Sequence, residues 1–216
     1  MFELNGVHEI FPTLIFTHRL SKERYEPLNE RILSYLDARV RDAKLSRDAQ
    51  LQTTATLHLQ PEMKPLVEII DAAVCGVLEH LTVKHAGHRI TGCWANINPK
   101  GARHERHCHP NNFLSGVYYV AASEGADTIS FDDPRPHWTI LAPDVAEQRP
   151  EVSNTVVMNV HPGTLIVFPS WLVHFVEPNR SPRSRVSVSF NVMFTSFAET
   201  ISPTRWTPTL PLPPVP

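Results

Sequence analysis

From residue 89 onward, apolar and polar positions alternate in short runs broken by Gly, Pro, Asn and Asp, a period of two that predicts strands. The runs are Arg89 to Ile97, Leu114 to Ala121, Thr128 to Phe131, Thr155 to Val160, Thr164 to Phe168 and Val186 to Phe194. Short strands at this spacing, without an internal repeat, point to a sandwich or jelly roll rather than to βαβ units. Before residue 89 the period lengthens. Leu28, Ile32, Leu36 and Val40 recur every four residues behind Ser21, an N-cap residue type, and predict an amphipathic helix to about Ala43. Pro27 falls in its early turns and is expected to delay or kink its start. A second helix opens near Pro61, with Leu66, Ile69, Ile70, Ala73, Val77, Leu78 and Leu81 as a wide apolar stripe, and Gly87 closes that region. Further strands are expected at Thr13 to Thr17 and at Thr53 to Leu59. The fold class is thus mainly β with flanking helices, in one domain over residues 1–201 with helical support at 21–86 and a β core at 89–195. Residues 202–216 are too rich in Pro for a helix or a central strand and read as an extended tail.

Composition narrows the function classes. A chain of 216 residues is long enough to bury roughly 70% of its unfolded surface in one core. A formal net charge of −2, with no unbroken Lys/Arg run, draws it neither to nucleic acid nor to anionic membrane. Three cysteines, Cys75, Cys93 and Cys108, lack C-x-x-C spacing and fit a reducing compartment; with no secretory signal or membrane-spanning run, a cytoplasmic protein is expected. Twelve histidines are many for this length, and three of them carry the chemistry that follows.

His107 and His109 stand two apart beside a predicted strand, so both imidazoles reach one point in space while Cys108 faces away. That geometry supplies two adjacent positions on a metal ion, and neutral imidazole suits Fe, Cu, Ni and Zn alike. A structural zinc site from His107, Cys108 and His109 is disfavoured because adjacent strand residues diverge. His104, three residues before His107, would face the opposite side of a regular strand. Some sixty residues on, His174 follows a strand and a turn, and Arg185 opens a strand with Arg185, Ser187, Ser189 and Asn191 on one face. Such a polar face ordinarily turns to solvent. Arg185, one strand from His174, is instead suited to hold the far carboxylate of a small acid whose near end chelates the metal. Trp94, Asn96, Asn98 and Trp171 are candidates for the pocket mouth. No G-x-S-x-G elbow or P-loop suggests another chemistry.

The ordered set His107-x-His109, Ser115-Gly116-Val117-Tyr118-Tyr119-Val120, Gly163 to Ser170, His174 and Arg185-x-Ser187 resembles the iron(II)- and 2-oxoglutarate-dependent dioxygenases. It is most similar to their prolyl-4-hydroxylase-like branch, and closest to a bacterial group of 2OG-Fe(II) oxygenases, over roughly residues 92–195. The resemblance implies a double-stranded β-helix with helices on one outer face. It implies that His107 and His174 are iron ligands, and that Arg185, helped by Ser187 and by Tyr119, pairs with 2-oxoglutarate; Tyr118 is the alternative to Tyr119. Most of the superfamily has H-x-D or H-x-E where this chain has His109. Three resolutions stand: a three-histidine site of His107, His109 and His174; His109 off the metal, with an open position; or a carboxylate from Glu105, Asp132 or Asp133.

The activity implied is oxidation, by default hydroxylation, of an unactivated C–H bond with decarboxylation of 2-oxoglutarate to succinate. O2 and a small-molecule or amino-acid-like substrate would be its partners, and a homodimer the default assembly. The alternatives are a three-histidine cupin-type dioxygenase that uses no 2-oxoglutarate and a non-catalytic jelly-roll module that binds a small ligand. Substrate choice is expected to lie in loops such as Pro134 to Pro150.

Overall fold

The computed structural model describes residues 6–8, 10–46, 49–135, 140–141 and 143–196. The Pro-rich tail and part of the Pro134 to Pro150 loop therefore lie outside the described residues. Ten strands form two antiparallel sheets: β1 (Phe16–Arg19), β2 (Leu51–Gln52), β3 (His88–Asn98), β4 (His104–His107), β5 (Leu114–Ala121), β6 (Thr128–Asp132), β7 (Thr155–Asn159), β8 (Thr164–Pro169), β9 (His174–Val176) and β10 (Arg185–Phe194). The larger sheet runs β1-β8-β5-β10-β3-β2 and the smaller β4-β9-β6-β7. This is the predicted mainly β architecture, the two facing antiparallel sheets of a double-stranded β-helix.

The larger sheet is covered on both faces, which explains its long apolar runs. On its outer face Leu114, Tyr118, Val120, Leu165, Val167, Val186, Val188, Phe190 and Val192 pack against two helices, α1 (Lys22–Asp42) and α2 (Lys64–His80). On its inner face Val117, Tyr119, Ile166 and Phe168 meet Ile129, Phe131, Val160 and Leu172 of the smaller sheet and its connections. The alternation along β5, β8 and β10 thus sorts side chains between a helix-facing core and an inter-sheet core. Each large side chain so buried contributes roughly 1.5–3 kcal/mol.

The helices match their periodicity. α1 buries Leu28, Ile32, Leu36 and Val40, and α2 buries Leu66, Ile70, Ala73, Val74, Val77 and Leu78. Pro27 does not delay α1, which starts at Lys22 and carries the proline inside it. Buried Asn29 fastens α1 to β5: its amide donates to the Val120 carbonyl at 2.8 Å, and Tyr118 Oη donates to its Oδ1 at 2.7 Å. At Gly116, facing Phe190 across the β5–β10 pair, an added Cβ would overlap the Phe190 ring, so only glycine lets that ring lie flat on the strand.

Two predicted strands shift or fail. The first is β1, three residues later than expected, where Phe16 to Arg19 pair with Val167 to Thr164. Thr53 to Leu59 is not a strand: beyond the two residues of β2 it gives way to tight turns at Leu57–Leu59 and Pro61–Met63. Threonine hydroxyls take over backbone and side-chain partners there, Thr53 Oγ1 accepting from the Ala95 N–H at 3.0 Å and Thr54 bonding Thr56. Among the described residues, no helix is long and apolar enough to cross a membrane.

Candidate active site

Between the sheets lies a cavity of about 370 Å³. Into it the fold brings His107 from the end of β4, His109 just beyond it and His174 from the start of β9. One nitrogen from each ring lies within 4.8 Å of the other two, and the ring centroids are 4.3–5.1 Å apart. His107 and His174 are direct cross-strand partners. His109 is past the strand, fixed by its N–H donating to the Ser170 carbonyl at 2.8 Å.

Backbone carbonyls set the tautomers. His107 Nδ1–H donates to the Glu105 carbonyl at 2.7 Å and His174 Nδ1–H to that of Leu172 at 3.0 Å. A carbonyl only accepts, so both rings carry their proton on Nδ1 and present a bare Nε2. Burial pulls His174 and His109 down to about 4, aided by the neighbouring histidines, so both are neutral donors at pH 7. His174 is buried, His109 half-buried and His107 exposed, so the centre opens to solvent on the His107 side.

No carboxylate of the described residues joins this group. Glu105 pairs with Arg103 at 2.7 Å, Asp132 with Arg106 at 2.9 Å and with Thr155, and Asp133 with Arg135 at 2.8 Å. The three carboxylates weighed as ligands are thus committed to surface partners.

His104 departs from expectation. It lines the same cavity rather than the opposite face. Pairing advances three residues along β4, from His104 to His107, against two along β9, from Val176 to His174. The extra residue is a bulge, and it turns His104 to the side of His107. Its Nε2 lies 2.7 Å from Nδ2 of the fully buried Asn98, and burial, then the charge of Arg185, draws it down to about 4.

The polar face of β10 points inward, not to solvent. Arg185, Ser187 and Ser189 line the cavity, and Arg185 is only 2% exposed. Among the described residues its guanidinium has no carboxylate within ion-pair distance, so a full positive charge is held in the cavity wall. Tyr119 faces the same cavity, and burial raises its phenol, keeping it protonated; Tyr118 turns away to Asn29. Trp94 lines the mouth with its ring 5.7 Å from His109, and Asn96 sits beside it with its Oδ1 unpartnered among the described residues. Asn98 lies behind the wall, and Trp171, 55% exposed, is outside the cavity. Sequence reasoning gave no site role to Gln52, which lines the cavity from β2 outside any motif, or to Phe168, which lines it from within the Gly163 to Ser170 stretch on β8.

Residues 92–191 match the family model described as "Putative 2OG-Fe(II) oxygenase". The match spans a little under half of the chain, and this stretch is similar to the 2OG-Fe(II) oxygenases. Iron(II) and 2-oxoglutarate are the cofactor and cosubstrate that this family's description names. The fold is similar to that of a Pseudomonas putida prolyl-4-hydroxylase (16% identity, 84% of this chain and 93% of that one, TM-score 0.54). It is also similar to HygX from Streptomyces hygroscopicus, solved with nickel and 2-oxoglutarate bound (11% identity, 85% and 83%, TM-score 0.60). A third likeness is to AviO1 from Streptomyces viridochromogenes Tue57 (16% identity, 85% and 91%, TM-score 0.60). No curated protein sequence matches the chain.

Proposed function

We propose that the oxygenase holds iron(II) on His107, His109 and His174, seats the distal carboxylate of 2-oxoglutarate on Arg185, and hydroxylates a C–H bond of a small, amino-acid-like substrate. The observation that carries this reading is the buried Arg185, without an ion-pair partner among the described residues, in the same cavity as three converging histidines. A cation so placed needs an anionic guest, and a dicarboxylate that also chelates the metal meets both needs.

When bound, iron and 2-oxoglutarate supply the oxidising chemistry, with succinate and CO2 as products. The protein's part is placement. Two Nδ1–H to carbonyl bonds hold the His107 and His174 rings in a donating tautomer. Three neutral ligands leave the ion its full charge, which with Arg185 favours a dianion over a monoanion. Ser187 and the protonated Tyr119 hydroxyl are the donors available beside Arg185 in the wall, and His104 is a further polar neighbour. Val117, Ile129 and Phe168 form the dry side of the cavity and exclude water, while Trp94 and Asn96 border the mouth where substrate enters. The free thiols of Cys75, Cys93 and Cys108 support a reducing, cytoplasmic setting.

The test is succinate release from 2-oxoglutarate with iron(II) supplied and a library of amino acids and small acids as substrates. Wild-type turnover that needs both iron and 2-oxoglutarate is expected, and His174→Ala should bind no iron. Oxygen uptake without 2-oxoglutarate would refute the reading, as would full iron occupancy in the variant.

A further inference from the structure

On the helix-covered side of the larger sheet, away from the histidine centre, a second set of donors converges. Asp71 and Cys75 stand one turn apart on α2, so they share a helix face. Opposite them is His88, the first residue of β3. Asp71 Oδ1, Cys75 Sγ and a His88 ring nitrogen all lie within 4.8 Å of one another. We propose that Asp71, Cys75 and His88 form a second metal site, for a borderline divalent cation of the zinc class, that staples α2 to β3.

Four observations carry it. First, His88 is held in place: its backbone is paired with Phe194, Gly87 accepts from Thr195 N–H, and its side chain is 10% exposed. Its Nε2 already points at Asp71 Oδ1, 2.8 Å away, a hydrogen-bond contact that would open to about 3.3 Å around a shared tetrahedral ion. Second, a hydrogen bond between His88 and Asp71 accounts for two of the three groups and leaves Cys75, a half-buried free thiol, without a purpose. Third, carboxylates flank the thiol along α2: Asp71 stands one turn before Cys75 and Glu79 one turn after it. Fourth, Asp71 and His88, though not Cys75, line a hollow of about 480 Å³ together with His58, whose Nδ1 is buried with no partner among the described residues.

The donor chemistry selects the ion. One thiolate, one imidazole and one carboxylate suit zinc, cobalt or nickel; calcium or magnesium would leave the sulfur and nitrogen unused. Three protein ligands leave the fourth tetrahedral position to solvent. The histidine centre has no sulfur donor, since Cys108 faces outward and is exposed, so sulfur ligation reports the second site alone.

The experiment is a cobalt(II) titration of the full-length chain under anaerobic, reducing conditions, followed by electronic absorption. Two equivalents should bind, one of them raising a thiolate-to-cobalt charge-transfer band in the near ultraviolet. Cys75→Ser should remove that band and one equivalent, while Cys108→Ser and His174→Ala should leave the band in place. Asp71→Asn, close to isosteric, should weaken the sulfur-ligated equivalent by roughly tenfold or more, with the circular dichroism of the fold unchanged. The proposal is overturned if the wild-type chain shows no such band, or if the band survives Cys75→Ser or follows Cys108 instead.

Discussion

Arg185 concentrates the energetics of the site in one side chain. It is 2% exposed and has no counter-charge among the described residues, so its desolvation is offset only when an anion arrives. Truncating one member of such a pair costs about 2–5 kcal/mol. Arg185→Ala should therefore raise the 2-oxoglutarate concentration for half-maximal turnover by roughly 30-fold or more and leave iron binding intact; unchanged cosubstrate dependence would remove Arg185 from this role. His104→Ala should raise the same requirement by a smaller factor, because His104 is a neutral neighbour of Arg185. The histidines also make a pH prediction. His104, His109 and His174 sit at about 4 when folded, chiefly through burial, and near 6.5 when unfolded. Between those values the unfolded chain holds more protons, so stability rises with pH across the window and is lost as pH falls from about 6.5 toward 4. Urea unfolding of the metal-free protein at several pH values measures this, and a flat profile there would show that the three rings are not buried as described.

At the level of elements, the helices are more than a lid on the sheet. α1 reaches β5 through Asn29, whose amide and carbonyl are both satisfied by Val120 and Tyr118 in a buried setting. Asn29→Ala leaves two buried polar groups without their partner, at about 1–3 kcal/mol each. A fall in the urea midpoint with little change in slope is the expected outcome. The long strands β3, β5, β8 and β10 and both helices were legible in the pattern, since each spans enough residues for a period to show. β4 and β9 were not. They have four and three residues, and a run that short has no period of its own. They exist because each finds the other, with His107 facing His174. The Thr53 to Leu59 segment shows the reverse error: β-branched composition suggested a strand, and local hydroxyl bonding produced turns.

For the whole molecule, two sheets, one centre and one cavity are thermodynamically coupled. On the proposed assignment iron would bind residues from both strands of the β4–β9 pair, and 2-oxoglutarate would bind across the cavity between that pair and β10. Ligands that bind only the folded state raise its stability by mass action. Iron(II) with 2-oxoglutarate, kept anaerobic, should therefore raise Tm further than either alone, and a chelator should return it to the metal-free value. Additive shifts with no gain from the pair would argue against chelation of the cosubstrate at the histidine centre.

The amino-acid order by itself determined which residues alternate, which recur at a helical period, and that histidines and one arginine recur at spacings shared with an oxygenase family. Those are local quantities, set by side-chain type and separation along the chain. Only the tertiary structure decided that the polar face of β10 turns inward, that Tyr119 rather than Tyr118 meets the cavity, and that a bulge brings His104 in beside Arg185. Each of these depends on which surface a second, distant strand or helix covers, and pairings between segments far apart in sequence leave no mark in the period of either one.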